Sequence, residues 1–218
     1  MALTAIVAGS SGLIGSNLIP LLLANPNYSN VIAVGRRKIE TSNPKLTQFT
    51  TSFDTLEEIK EELKGDVFFY CLGTTKSKTP DVNRYKTIEL GYPTKAAQLS
   101  AENKVSQFHF ISSLGADSKS ANAYLRLKGK AEEAIQQLEF KSVHCYRPSV
   151  LKGNRKEFRM FERLFVGLMG IINPILTGKF KKYRSIDAEL VAKAMVNQSL
   201  KNSLGIHVYE SDQIRELA

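Results

Sequence analysis

Tyr124 and Lys128, within Tyr124-Leu125-Arg126-Leu127-Lys128, are spaced by one helical turn. Such spacing puts a phenol and an ammonium on one face of a helix. There the cation favours the ionised phenol and lowers a pKa that is ordinarily about 10. A tyrosine tuned in this way can give its proton to an alkoxide developing from a carbonyl, so the pair suggests carbonyl reduction. The same spacing recurs by chance on solvated helices, and the chemistry therefore depends on what accompanies it.

What accompanies it is a glycine turn, Gly9-Ser10-Ser11-Gly12-Leu13-Ile14-Gly15. It follows the apolar β-type run Leu3 to Ala8 and precedes Leu13 to Ile19, which reads as a helix start. Strand, glycine turn and helix in that order are the context of a dinucleotide fingerprint. Gly9 allows the tight turn, Gly12 lets the backbone approach a pyrophosphate, and Gly15 lets the helix pack on the strand with its first amides aimed at the phosphates. Further on, the run Val31-Ile32-Ala33-Val34 ends in Gly35-Arg36-Arg37-Lys38. A site for NAD places an acid there, about 20 residues past the turn, to hold the ribose hydroxyls. Two arginines instead suit a 2′-phosphate, through charge-assisted bidentate bonds. The expected cofactor is NADPH.

The elements that must position these groups alternate along the chain. After the first two strands, Leu46 to Phe49 reads as a third, and Thr55-Leu56-Glu57-Glu58 has the form of a capping box opening a helix through Leu63. Val67 to Tyr70 is a fourth strand, running into Cys71-Leu72-Gly73-Thr74-Thr75, and Phe108 to Ile111 is a fifth, running into Ser112-Ser113. Val143 to Tyr146 is a sixth. Helices fill residues 81–102, with a break or start near Pro93, and 120–138. This alternation predicts the α/β class, a Rossmann-like doubly wound parallel sheet whose ligands sit at the carboxyl ends of its strands.

A length of 218 residues fits one NAD(P)-binding domain spanning the chain. Residues 151–185 are expected to form a small C-terminal elaboration on the substrate side. A domain of this size buries roughly 70% of its unfolded surface. Cys71 and Cys145 lie in apolar strand-like runs, and no metal-ligand spacing or disulfide framework is present, so a reducing, cytoplasmic setting is expected and no metal site. The N-terminal apolar stretch is broken by the glycine turn and reads as a first strand, not a signal peptide. The net charge of +9 is scattered and carries no nucleic-acid-binding signature. Its densest cluster, Lys179-Phe180-Lys181-Lys182-Tyr183-Arg184, reads as a solvated loop and leaves a peripheral membrane surface or an acidic protein partner open. Residues 164–176 are apolar, hold Asn173-Pro174 and are too short to span a bilayer, so they are expected to cover the substrate site or meet a partner. Monomer and homodimer are equally compatible with the sequence. His109 and His144 alternate with apolar neighbours and read as structural.

In this order, several runs resemble the Tat-interacting oxidoreductase group of atypical short-chain dehydrogenases/reductases. They are Val34-Gly35-Arg36-Arg37-Lys38, Cys71-Leu72-Gly73-Thr74-Thr75, Ser112-Ser113-Leu114-Gly115-Ala116-Asp117, Tyr124-Leu125, Lys128-Gly129, Arg147-Pro148 and Arg155-Lys156-Glu157-Phe158-Arg159. The resemblance covers most of the chain, from Leu3 to about Ser199. The Gly-x-x-Gly-x-x-Gly spacing of the turn is also the one typical of short-chain dehydrogenases. Such proteins bind NADPH on a Rossmann-like fold.

Carried over residue by residue, the resemblance implies that Ser10, Ser11 and Gly12 meet the pyrophosphate, with Leu13 and Ile14 completing the turn, and that Arg36 and Arg37 meet the 2′-phosphate. Cys71, Leu72 and Gly73 would pass the adenosine half. Asp54 would accept from the adenine amine or cap the next helix. Pro148 and Leu151 would border the nicotinamide, and Arg159 would reach back to the cofactor. Tyr124 would protonate a small-molecule carbonyl, Lys128 would tune it and hold the ribose, and Ser113 or Ser112 would hydrogen-bond the carbonyl. Two departures stand out. Glu89, in Thr87-Ile88-Glu89-Leu90, falls where many such enzymes carry the asparagine of a water relay, and Ser149 replaces the glycine usual after Arg147-Pro148, adding a side chain beside the expected nicotinamide pocket. An NADPH-dependent oxidoreductase is the leading expectation. The alternative is a sensor that holds NADPH and acts through partners.

Overall fold

The computed structural model describes residues 2–153 and 176–218. Seven parallel strands form one sheet: β1 (Leu3–Ala8), β2 (Tyr28–Gly35), β3 (Leu46–Thr50), β4 (Val67–Tyr70), β5 (Gln107–Ile111), β6 (Ser142–Arg147) and β9 (Gly205–Glu210), in the order β3-β2-β1-β4-β5-β6-β9. A separate parallel pair joins β7 (Leu151–Lys152) to β8 (Ile186–Asp187). The strand order reverses between β1 and β4. In an open parallel sheet that crevice, outside the carboxyl ends, is where ligands bind.

The sheet is Rossmann-like, with helices on both faces. Strands covered on both faces read as continuous apolar runs, which is why Val67-Phe68-Phe69-Tyr70 has no polar alternation and is buried throughout. Alternate residues serve two cores. Ala5, Val7, Val67 and Phe69 pack with helix α1 (Gly15–Ala24) and with α5 (Ala188–Ser199). Ile6, Ala8, Phe68, Tyr70, Phe108 and Phe110 pack with α3 (Tyr92–Glu102) and α4 (Ala123–Gln136).

All six expected strands are present, and their ends differ from the sequence reading by at most a few residues. The helices depart further. Phe53–Glu62 is a 3-10 segment whose N-cap is Ser52, accepting from the Asp54 amide at 3.2 Å, so Thr55 does not open it as a capping box. The break or start expected near Pro93 is a π turn (Thr87–Gly91) that joins α2 (Val82–Lys86) to α3, whose first residue is Tyr92. Pro93, which has no N–H to give, follows this widened turn and its extra residue. Gly178–Tyr183 is a 3-10 helix rather than a loop. Strand β9 and the helices α5 and α6 (Ser211–Glu216) complete the layers. Arg159 and residues 164–175, with the motif from Arg155 to Arg159, lie outside the described residues.

Candidate active site

The glycine turn is fixed by its own backbone. Gly9 has φ +84°, its carbonyl accepts from Gly12 N at 2.9 Å, and a Cβ on Gly15 would collide with that same carbonyl. The amides of Gly9 and Ser10 both donate to Val34 O, at 2.9 and 3.5 Å, which clamps the turn to the end of β2. Helix α1 starts from Ile14 without a side-chain cap, so the positive end of its dipole faces the turn. A Cβ on Gly12 would meet Gly9 O at 3.1 Å. Ser10 is buried with its hydroxyl near Gly35, so it offers this site backbone, while Ser11 is exposed. Leu13 packs under Gly153, which brings the chain after β7 onto the turn.

Arg36 and Arg37 follow β2 directly and both are exposed. Across the crevice, Asp54 is already engaged: Arg84 grips it through two bonds at 2.7 and 2.9 Å, and Tyr92 Oη donates to it at 2.6 Å. Those contacts hold its carboxyl well below the usual carboxylate range. Asp54 sits past the end of β3 and caps nothing, because Ser52 does. Cys71 N donates to Ala8 O at 2.9 Å, extending the β1–β4 pairing into the run that leads to Leu72 and Gly73.

Tyr124 and Lys128 stand one turn apart on α4, which begins at Asn122, whose side chain accepts from Tyr124 N at 2.9 Å and Leu125 N at 3.3 Å. Tyr124 is half-buried and Lys128 is buried. Lys128 Nζ donates to Ile111 O at 3.0 Å, at the end of β5, and lies 4.8 Å from the centre of the Phe110 ring. Its counterion is Glu89, 3.0 Å away in the π turn and equally buried. The other Glu89 oxygen accepts from Thr74 N at 2.5 Å, joining the loop after β4 to the same pair. Burial opposes the Lys128 charge, but Glu89, with Tyr124 and Glu132, leaves its pKa above the ordinary lysine value. Gly129 lets α4 touch the Asp117-Ser118 backbone, which a Cβ would not permit.

Two buried hydroxyls, Tyr70 Oη and Ser112 Oγ, lack hydrogen-bond partners, and Glu89 Oε2 has no partner besides the Lys128 ammonium. Buried polar atoms are ordinarily paired, and each exception asks for a reason. Ser112 carries the orphaned hydroxyl, whereas Ser113 is only half-buried. Tyr85, on α2, has its pKa pushed up to about 12 by burial, with Glu89 and Tyr124 adding to it, so its phenol shares their field. Pro148 is buried and its carbonyl accepts from Leu114 N at 3.0 Å, so the loops after β5 and β6 meet; Leu151 is half-buried. Ser149, expected beside the nicotinamide pocket, is engaged by its neighbours. Its hydroxyl donates to Arg184 O and contacts Ser211 Oγ at 3.0 Å, tying β6 to the C-terminal elements.

In the sequence Glu89 stands out only as a missing asparagine, Tyr70 and Thr74 only as members of the fourth strand and of the run after it, and Tyr85 not at all. The one local signal was an acid flanked by Ile88 and Leu90 in a helical segment.

The chain belongs to the NAD dependent epimerase/dehydratase family, whose pattern matches residues 5–155. Within it the chain is an atypical short-chain dehydrogenase/reductase of the Tat-interacting oxidoreductase group, as the similarity to "Protein HTATIP2" of Rattus norvegicus indicates: 30% identity over 203 residues, covering 91% of this chain and 82% of that protein. "Protein FMP52, mitochondrial" of Coccidioides immitis is 31% identical over 232 residues, covering 100% of this chain and 94% of that one. Among solved structures, MoeE5 in complex with UDP-glucuronic acid and NAD is similar with a TM-score of 0.71 at 18% identity, covering 94% of this chain and 75% of that chain. The Bordetella bronchiseptica enzyme WbmG in complex with NAD is similar with a TM-score of 0.70 at 14% identity, covering 99% and 76%. These structural likenesses establish the fold. The family establishes NAD(P) dependence and an oxidoreductase type of function. One expectation is overturned: similar fungal proteins, from Coccidioides immitis and Debaryomyces hansenii, are named as mitochondrial, against a cytoplasmic setting. The absence of disulfides, on which that expectation rested, reports a reducing environment and not a compartment.

Proposed function

We propose that this protein is an NADPH-dependent reductase of a small-molecule carbonyl, working as one NAD(P)-binding domain with residues 151–185 as its substrate-side elaboration. The observation that carries the reading is the placement of Lys128, one turn from Tyr124, with its ammonium bonded to the carbonyl of Ile111, the residue before Ser112, whose buried hydroxyl has no hydrogen-bond partner.

The residues present fit a dinucleotide. Packing of α1 on the turn so close that Gly15 has no room for a Cβ, a positive φ at Gly9 and the uncapped start of α1 suit a pyrophosphate. Arg36 and Arg37 would hold the 2′-phosphate, Cys71, Leu72 and Gly73 the adenosine side, and Pro148, Leu151 and Arg159 the nicotinamide side. Asp54 would reach adenine only with the oxygen lone pairs that Arg84 and Tyr92 leave open. When bound, the reduced cofactor supplies the hydride. Tyr124 then gives its proton to the carbonyl oxygen, and Ser112 or Ser113 holds that oxygen by a hydrogen bond. Lys128 orients the ribose and stabilises the phenolate that Tyr124 leaves behind.

A second reading, a sensor that holds NADPH without turnover, is favoured by the Glu89–Lys128 pair, which offsets the lysine charge beside Tyr124. The names of the fungal relatives make a mitochondrial compartment the one to test first. Oxidation of NADPH with a panel of aldehydes, ketones and quinones separates the readings. Turnover that falls by about 10²- to 10⁴-fold in Tyr124→Phe, with cofactor affinity kept, is expected. Tight NADPH binding with no turnover on any of the panel would establish the sensor instead.

A further inference from the structure

We infer that Glu89 is a positioning residue of this site: its carboxylate, brought in by the π turn, holds Lys128 at the end of β5 as a cation. The inference rests on the reading above for its consequence in catalysis, but not for its geometry.

Three observations point to it. First, α2, the π turn and α3 keep helical backbone angles through the junctions at Lys86, Thr87, Gly91 and Tyr92, so the widened turn is a deliberate insertion in one helix rather than a break between two. Each residue of a helix advances the face by about 100°, so one extra residue decides which side chain points at the sheet, and such turns concentrate at functional sites. Second, both oxygens of Glu89 are committed: Thr74 N takes one and the Lys128 ammonium lies 3.0 Å from the other. Third, the pair is buried, with side chains 3% and 0% exposed for Lys128 and Glu89. A buried lysine without a counterion gives up its proton. The groups facing Lys128 are Tyr124 and Glu132 on its own helix, the Phe110 ring and Ile111 O on β5, and Glu89. Tyr85 and Tyr70 face Glu89 from α2 and β4. Glu132 is taken by Arg147. Glu89 is therefore the carboxylate that faces Lys128 directly. Where an asparagine would reach the lysine through water, a carboxylate reaches it by contact.

The test follows the protonation of Lys128 itself by NMR of protein carrying 13Cε-labelled lysine, with no cofactor or substrate, and with the resonance assigned by its loss in Lys128→Met. In Glu89→Gln, Lys128 should lose its proton at least about two pH units below the wild type, roughly a hundredfold loss of proton affinity. A role limited to packing would leave that titration in place. Lys128 titrating within about half a unit of wild type in folded Glu89→Gln would overturn the inference. Should Glu89→Gln not fold, the double variant Glu89→Gln/Lys128→Met decides: recovery of folding supports the pairing, and failure to recover overturns it. Because neither arm uses NADPH, absence of reductase activity would sink the functional proposal and leave this result standing.

Discussion

The two halves of the sheet solve different problems with different materials. On the β1–β3 side the turn is made of backbone and glycine, and the charged side chains, Arg36, Arg37 and Lys38, are all exposed. On the β4–β9 side, charge and proton-binding groups are buried: Glu89, Lys128, Glu132, His109 and His144 all are. A phosphate arrives hydrated and carries its own charge, so amides and solvated cations meet it without prior desolvation. Proton transfer needs groups whose ionisation has been set away from water, and setting it costs stability. Helix α4 spans both outcomes within one turn. Glu132 makes a bidentate pair with Arg147, through Nε at 3.0 Å and Nη2 at 2.5 Å, and is satisfied. Lys128, one turn earlier, meets its carboxylate, Glu89, through a single oxygen that has no other partner.

The histidines give that contrast its largest measurable consequence. His109, His144 and His207 lie opposite one another on β5, β6 and β9, stacked with ring centres 4.3 and 4.8 Å apart. His109 contacts Tyr146 Oη at 3.0 Å and Gln107 Oε1 at 3.1 Å, and His144 contacts Tyr209 Oη and Ser142 Oγ, contacts that the neutral rings satisfy. Burial, and then its histidine neighbours, push His109 well below 6.5, and burial and His207 push His144 down to about 4. Because the unfolded chain binds these protons more readily, stability is complete above about pH 6.5 and is lost as the pH falls toward 4. His144 alone accounts for about 3 kcal/mol of that loss. Denaturant melts across this range should show the slope, and His144→Phe should remove about one proton from it. A flat profile would mean that the buried half is not where acid acts.

Next in size is Glu132→Gln, which leaves Arg147 without its counterion. Breaking a buried pair costs about 3–5 kcal/mol, and Arg147 is 24% exposed, so about 2–3 kcal/mol is expected in urea melts with an unchanged slope. NADPH affinity should stay at the wild-type value. A loss of affinity with no loss of stability would erase the distinction between the two pairs on α4.

The smallest effect belongs to the exposed half. If Arg36 meets a 2′-phosphate, Arg36→Ala should reduce the preference for NADPH over NADH by about tenfold, about 1.4 kcal/mol, without altering stability. Titration of both cofactors into the two proteins measures it, and equal affinities in the wild type would remove the basis for an NADPH site.

Legibility divides along the same line. Strand β1, the glycine turn and α1 are contiguous, and their apolar run and glycine spacing could be read directly because the signals that specify them lie within one short segment. Tyr124 and Lys128 were equally legible, since one helix alone sets their spacing. Asp54 was visible only as a residue near a strand end, because its partners, Arg84 and Tyr92, come from a later segment. Ser149 was visible only as a side chain where a glycine is usual, because its partners, Arg184 and Ser211, come from later segments.

By itself, then, the sequence determined the parallel α/β order, the glycine turn, the arginine pair and the tyrosine-lysine face, all consequences of hydrophobic period, glycine freedom and helical pitch. Tertiary structure decided which charges meet. The Glu89–Lys128 pair depends on one π turn and on α4 lying over the end of β5, and the histidine row depends on the register of three strands. Electrostatics inside a protein acts over a few ångströms through a poorly screening medium, so a one-residue change of register or turn reassigns partners that no local pattern specifies.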